Sequence, residues 1–364
     1  MEHRDILFGM REIRGVGEKT LTTLRKSIHN LQDLLEMDIA ELVRIGIEKH
    51  RAVLIKRTLS ESFVSARHEE YRKAGICTIV LGDEDYPPLL EQLTYPPSVL
   101  YVRGDPALLT HPSIAVVGTR RATSYGKRAT RKLVSELAGF GLGIVSGMAR
   151  GIDTEAHRMS LQVGAPSIAV LGTGLDVIYP KENEQLIERM AAEGVVISES
   201  PLGQPIRQGL FYLRNRIIAG LAIGTLVVEA DENSGALITA RYANDDNREV
   251  FVVPGSIFSP QSHGTLAWMK DHRAKGITSG VEIADEYKHT IAELQRPDRP
   301  VRPTLTLTTD ERLVMSFLSE DEATIDDLLV KTNFTFGHLH TVLLSLLIKK
   351  QIQKCPGSTY VSIH

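Results

Sequence analysis

Between residues 71 and 290 the chain repeats one unit: a short unbroken apolar run, a polar loop, then a stretch with helical periodicity. The runs are 76–81 (ICTIVL), 99–102 (VLYV), 113–117 (SIAVV), 142–146 (LGIVS), 167–171 (SIAVL), 195–199 (VVISE), 225–229 (TLVVE) and 249–253 (EVFVV). From 113 onward they are continuous rather than alternating, which suits strands covered on both faces, as in a parallel sheet. Between them, Leu133, Leu137 and Phe140 share one face of the helical stretch 126–140. This order predicts an α/β fold, a Rossmann-like doubly wound and mostly parallel sheet. Ligands of such a sheet sit outside the carboxyl ends of its strands, so function is expected just after each run.

The flanks differ. Residues 1–70 read as an all-α domain. Within it, Ile13-Arg14-Gly15-Val16-Gly17 joins two helical stretches as a helix–hairpin–helix would, with a looser copy at Ile45-Gly46-Ile47. Free N–H groups in such a turn can touch a DNA phosphate. Residues 291–304 hold Pro297, Pro300 and Pro303 and read as an extended linker. In 305–364, helices at 310–318, 325–331 and 336–350 precede a β-like end that turns at Gly357, the outline of a winged-helix domain. Its third helix opens Thr335-Phe336-Gly337-His338-Leu339-His340 and has no cation before Lys349, which suits a protein contact better than a DNA reader.

A net charge of −3 means that any nucleic-acid footprint must be local. Cys77 and Cys355, the two cysteines, are expected to be buried small apolar residues in a reducing compartment. The first residues lack the apolar core of a signal peptide, and no run approaches the roughly 20 apolar residues of a spanning helix. The expected location is therefore the cytoplasm, with no membrane span.

The strongest local signal follows the run 113–117. Gly118-Thr119-Arg120-Arg121-Ala122-Thr123-Ser124-Tyr125-Gly126-Lys127-Arg128 leads into a helix, and from Thr119 to Lys132 there are six basic residues and no acid. Cations at a helix start oppose its dipole unless an anion is nearby. Glycines, hydroxyls and free N–H groups there describe a phosphate-binding loop. The plainer alternative is a solvated basic loop in which Arg120 pairs with an acid such as Glu229. Arg120 is expected to project into the crevice and Arg121 to face elsewhere. Gly172-Thr173-Gly174 begins like a dinucleotide fingerprint, but Val177 breaks it, so a tight glycine turn is the simpler reading. Lys181 and Asn183 then place a cation and an amide at the next helix start.

The stretch 207–216 (RQGLFYLRNR) interleaves Arg207, Arg214 and Arg216 with Phe211 and Tyr212, a mixture that suits stacked bases and phosphates. The two aromatics by themselves are expected in the core. Arg214, Asn215 and Arg216 are assigned to the site. After 225–229, Ser234 is expected to cap a helix that starts at Gly235. The nearby Glu229, Asp231 and Glu232 could hold a metal, act as an acid/base pair or orient the arginines. Asp153, Glu155 and His157 form another polar group, in which the acids suit a helix dipole. No Ser/His/Asp or Cys/His set is readable, so no catalytic residue, metal or cofactor is assigned.

Six stretches in order, VVGTRRATSYG (116–126), SGMARGID (146–153), LGTGLDVIYPKEN (171–183), FYLRNRIIAGLA (211–222), SGALITARYA (234–243) and VFVVPGS (250–256), resemble the bacterial DNA-processing protein A family, also called Smf. The resemblance implies a protein that binds single-stranded DNA and loads the RecA recombinase onto it, past single-strand-binding protein, during natural transformation. It implies a homodimer, with the dimer face late in the central domain, and carries DNA contact onto Arg120 and Lys181. The assigned site is Gly118, Thr119, Arg120, Ser124, Gly126, Lys127, Lys181, Asn183, Arg214, Asn215, Arg216, Ser234 and Gly235. The sequence departs from the family pattern at 264–273, where GTNxLIxxGA is replaced by GTLAWMKDHR; the lone Trp268 there is expected in the core. A nucleotide-processing hydrolase, or a nucleotide-sensing module, on a similar fold is the alternative. It is weakened because GTLVVEADENSG carries a Glu without a preceding PGG.

Overall fold

The computed structural model describes residues 1–28, 30–294, 308–318, 323–348, 351–355 and 359–362. The N-terminal region is helical throughout: α1 (His3–Glu12), α2 (Glu18–Ser27), α3 (Ile39–Arg44), α4 (Lys49–Thr58) and α5 (Glu61–Lys73). Both expected hairpins are present. Gly15 between α1 and α2 and Gly46 between α3 and α4 share a φ of +97°, a left-handed turn that favours glycine.

The central region runs β1 (Cys77–Val80), α6 (Pro88–Glu91), β2 (Val99–Gly104), β3 (Ser113–Val117), α7 (Ser124–Gly139), β4 (Gly143–Ser146), α8 (Ile152–Gln162), β5 (Ser167–Leu171), α9 (Glu184–Glu193), β6 (Val195–Ser198), α10 (Gln208–Leu221), β7 (Gly224–Val227), α11 (Ala236–Asp245), β8 (Glu249–Val252), α12 (Pro260–Lys270), β9 (Lys275–Gly276), α13 (Gly280–Glu286) and α14 (Lys288–Leu294). The strands form one sheet in the order β1-β2-β6-β5-β4-β3-β7-β8-β9. β3 to β9 are parallel to their neighbours, and β2 joins β1 and β6 antiparallel. Every residue of β3, β4 and β5 is buried, as continuous apolar runs require of strands sandwiched between helices. Leaving β3, the chain turns one way into α7 and β4. Only after β6 does α10 carry it back to β7 on β3's other side. That reversal is the switch point at which a doubly wound sheet opens a crevice.

The last region holds α15 (Thr309–Leu318), β10 (Ala323–Thr324), α16 (Ile325–Thr332), α17 (Phe336–Ile348), β11 (Ile352–Cys355) and β12 (Thr359–Ser362), with its own core around Leu328, Leu339, Leu343 and Leu346. The linker prolines, Lys349, Gly357 and the Cys355 side chain lie outside the described residues. The last helix of the central region, α14, reaches Leu294.

The N-terminal helices share a core with the sheet. Tyr71 of α5 stacks on Tyr101 of β2 with ring centroids 4.8 Å apart. Both hydroxyls donate to the fully buried carboxylate of Glu12, Tyr71 from 2.9 Å, and Arg67 Nε donates to its other oxygen at 2.8 Å. Burial and that carboxylate push both tyrosines above their usual range. Glu18, at the start of α2, accepts from the Ser98 N–H at 3.1 Å and from its hydroxyl. Burial raises the Glu18 pKa, and neighbouring Glu199 adds to the shift. Cys77 corrects the expectation made for it. It is exposed, because it opens the edge strand β1. Trp268 is buried as expected, with the Arg273 guanidinium 4.1 Å from its ring centroid.

Candidate nucleic-acid interface

The loop after β3 is shaped by a buried acid. Thr123 caps α7, its Oγ1 accepting from Gly126 N at 3.1 Å. Thr123 N donates to Glu229 Oε2 at 3.0 Å, and its hydroxyl donates to Oε1. Gly126 packs on this carboxylate so closely that a Cβ would sit 2.1 Å from Oε2, so only glycine fits. Thr119 N reaches Glu229 O at 2.7 Å. Glu229 therefore builds the loop. It neither pairs with Arg120 nor orients the arginines, which corrects two of the readings open to it.

Of the six cations along this segment, two are engaged. Arg131 pairs with Glu155 at 2.6 Å, and Lys132 reaches Thr278 O at 3.1 Å. Arg120, Arg121, Lys127 and Arg128 are exposed and have no ion pair among the described residues. Ser124 is exposed in the first turn of α7, and Gly118 lies against Ile152. The Arg120 guanidinium stands 6.0 Å from the centre of the Phe211 ring.

Phe211 and Tyr212 do not enter the core. Phe211 is half-buried and Tyr212 exposed. The Phe211 ring covers Gly172 at the exit of β5, where a Cβ would lie 3.0 Å from it, and meets Tyr179 with centroids 5.2 Å apart. Arg214, one turn further along α10, approaches the same ring, also at 6.0 Å. Its Nη1 donates to Gly147 O at 2.6 Å and to Val170 O, joining the exits of β4 and β5. Asn215 receives Arg214 Nε at 3.3 Å and donates to Gly235 O at 3.2 Å, which links α10 to the start of α11. Burial lowers the Arg214 pKa to about 10.

Asp153 is more than a dipole partner. It is buried, and its Oδ2 accepts from Gly147 N at 3.2 Å and Ala149 N at 3.3 Å, bracing the loop after β4. Arg214 Nη2 and Asp153 Oδ2 flank Gly147, where a Cβ would fall 2.7 and 2.8 Å from them. Desolvation pushes the Asp153 pKa up to about 6, against the pull of Arg214.

The remaining assigned residues divide. Lys181 is exposed beside the Arg150–Glu182 pair. Asn183 is buried and structural, donating to Met148 O at 2.9 Å and Thr154 Oγ1 at 2.8 Å. Ser234 Oγ accepts from Ala236 N at 3.3 Å, and exposed Gly235 takes the cap position of α11. Arg216 is not brought to the crevice loop. It donates to Tyr95 O at 2.7 Å and pairs with Glu199, so it braces α10 from the opposite side. Among the described residues, no group of three or more His, Cys, Asp or Glu side chains could hold a metal ion. No helix among them is long and apolar enough to cross a membrane.

A doubly wound parallel sheet whose switch-point crevice carries exposed cations around a half-exposed aromatic ring defines a Rossmann-like protein. Residues 77–288 match the family model of DNA recombination-mediator protein A, and residues 298–358 match that of the DprA winged helix domain. The chain belongs to the DNA recombination-mediator protein A family. It is 32% identical to Protein Smf of Synechocystis sp. over 96% of both chains, and 40% identical to DNA processing protein DprA of Bacillus subtilis over 62% of this chain and 76% of that one. Its structure is similar to that of DprA from Streptococcus pneumoniae, with a TM-score of 0.70 at 31% identity over 79% of this chain and 99% of that one. DNA processing protein A from Helicobacter pylori, described for its single-stranded DNA binding mode, gives 0.54 at 32% identity over 59% and 96%. These matches support a DNA-processing, recombination-mediator role.

Proposed function

We propose that the chain binds single-stranded DNA across the switch-point crevice and, as a homodimer, loads RecA onto it past single-strand-binding protein. The observation that carries the DNA reading is the Arg120–Phe211–Arg214 arrangement, a ring with one exposed guanidinium and one anchored guanidinium, each 6.0 Å away. A base can stack on Phe211 while Arg120 takes the adjoining phosphate, and the exposed Lys127 and Lys181 extend the electrostatic track. Gly118, Thr119, Ser124 and Gly126 shape the loop that presents Arg120, and Ser234 and Gly235 form the adjoining rim. Asn183, Asn215 and Arg214 act as positioning residues. The family membership and the H. pylori relative's described DNA binding support this reading. Engagement of Glu229 by Thr123 speaks against its use as a hydrolase's acid or base.

The test is a titration of labelled oligo-dT and of a same-length duplex against wild type, Arg120→Ala and Arg121→Ala, with thermal melts of each. Arg120→Ala is expected to lose about 1.5–3 kcal/mol of single-strand binding, the range for a hydrogen bond to a charged group, with its melting temperature unmoved. Arg121→Ala serves as the control. Unchanged affinity in Arg120→Ala would remove the DNA from this crevice.

A further inference from the structure

The turn between β8 and α12 holds two apolar side chains in solvent: Ile257 is 71% and Phe258 88% exposed. Phe258 is the most exposed large hydrophobic residue among those described. The turn is built rather than frayed. Ser259 N bonds to Ser256 O at 3.0 Å, Phe258 N bonds to Ser256 Oγ at 3.2 Å, and His263 Nε2 lies 3.3 Å from Ile257 O. Gly255 is folded so tightly onto α12 that a Cβ would lie 2.0 Å from Ser262 Oγ. The base of the turn is fastened to the phosphate loop's own helix, where Tyr125 Oη donates to Pro254 O at 2.6 Å. A polar frame thus holds an aromatic ring outward, at a cost that a stacking partner would repay.

Its position selects the partner. The turn leaves the carboxyl end of β8, the same sheet edge as the crevice. Phe211 lies over the exit of β5, and β5-β4-β3-β7-β8 are successive neighbours. Four strand spacings of about 4.8 Å separate the exits of β5 and β8 by roughly 19 Å along that edge. Exposed Asp231 and Glu232 on the loop after β7 repel a backbone laid directly across it. The open route passes instead over the start of α7, past Ser124 and Lys127, to Tyr125 and Pro254. We propose that Phe258, with Ile257 beside it, is a second base-stacking subsite that takes a nucleobase of the strand as it leaves the Arg120–Phe211 crevice. This rests on the crevice reading above and extends it to a longer footprint.

Oligo-dT of about four and about sixteen nucleotides, the span of single-strand site sizes, separates the two subsites. Phe258→Ala should bind the long strand about tenfold more weakly, a typical loss of one base stack, and the short strand as wild type does. Phe211→Ala should weaken both. Phe258→Trp should keep long-strand affinity, and its added emission should be quenched by the long strand alone. If Phe258→Ala binds the long strand normally while Phe211→Ala does not, the second subsite is overturned and the crevice stands. If Phe211→Ala and Arg120→Ala both bind normally, the crevice reading falls and takes this inference with it. Altered sedimentation of Phe258→Ala with unchanged DNA affinity would assign the turn to a protein contact and overturn the proposal.

Discussion

Two regions of the molecule spend their arginines in opposite ways. At the junction between the N-terminal helices and the sheet, Arg67 meets the buried Glu12, Arg216 meets Glu199, and Arg11 Nη2 donates to Glu199 O at 2.8 Å. At the crevice, Arg120 has no ion pair among the described residues and Arg214 binds carbonyls and faces a ring, while the buried Asp153 acts on both only through its charge. A cation that meets a carboxylate on folding has its partner already. One left facing dipoles and an aromatic ring keeps its electrostatic demand for a ligand. The difference is sharpest on α10. Arg214 and Arg216 are two residues apart, about 200° around the helix, and so belong to different regions.

This contrast predicts that junction variants change stability and leave DNA affinity alone. The largest effect is expected for Glu12→Gln. It takes from Arg67 its buried partner and leaves it the exposed Glu70 alone, and it weakens the acceptor for two tyrosine hydroxyls, at a cost of about 3 kcal/mol in urea unfolding. Oligo-dT affinity per folded molecule should not move; a selective loss of affinity would end the separation of the two regions. Arg216→Met should cost somewhat less, about 2–3 kcal/mol, because the Glu199 carboxylate it leaves is partly open to solvent while that of Glu12 is fully buried. If Arg216→Met instead spares stability and abolishes binding, Arg216 belongs to the DNA site after all.

The smallest effect reads the crevice through pH. The Asp153 pKa is raised in the folded chain, to about 6 from its usual 3.8, so the folded form holds the proton more tightly than the unfolded form. Its contribution to stability is therefore fully present below about pH 4 and is lost as pH rises through about 6. Asp153→Asn should flatten that part of the stability profile, by on the order of 2 kcal/mol between pH 4 and pH 7. An unchanged slope in denaturant melts would show that Asp153 is not desolvated as the crevice geometry implies.

The sheet was legible because both-face burial writes itself into continuous apolar runs, and every run from 76 to 253 contains a strand. The exposed basic loop after β3 was legible because its charge conflicts with a helix start. Facing was lost. Phe211 and Arg214, three apart on α10, share a face, and this spacing is the signal that would have moved Phe211 out of the core and Arg216 out of the site. Burial of single polar groups was not legible either. Nothing in Gly151-Ile152-Asp153 shows that this acid, unlike Glu155, turns inward to hold two backbone amides. Glu229 was visible as an acid, but its partner Thr123 lies 106 residues earlier. Cys77 was misplaced because its position on an edge strand depends on which strands become neighbours.

The Tyr71–Tyr101–Glu12 cluster bears on how such a protein can be inherited. The matched family region begins at residue 77, yet Tyr101 inside it addresses its hydroxyl to an acid on the first helix of the chain. The central sheet is thus not a freely portable module. A gene fusion or deletion that separates it from its leading helices strands a buried phenol and bares the apolar flank around Val80 and Val99, unless a new acceptor arrives in the same event.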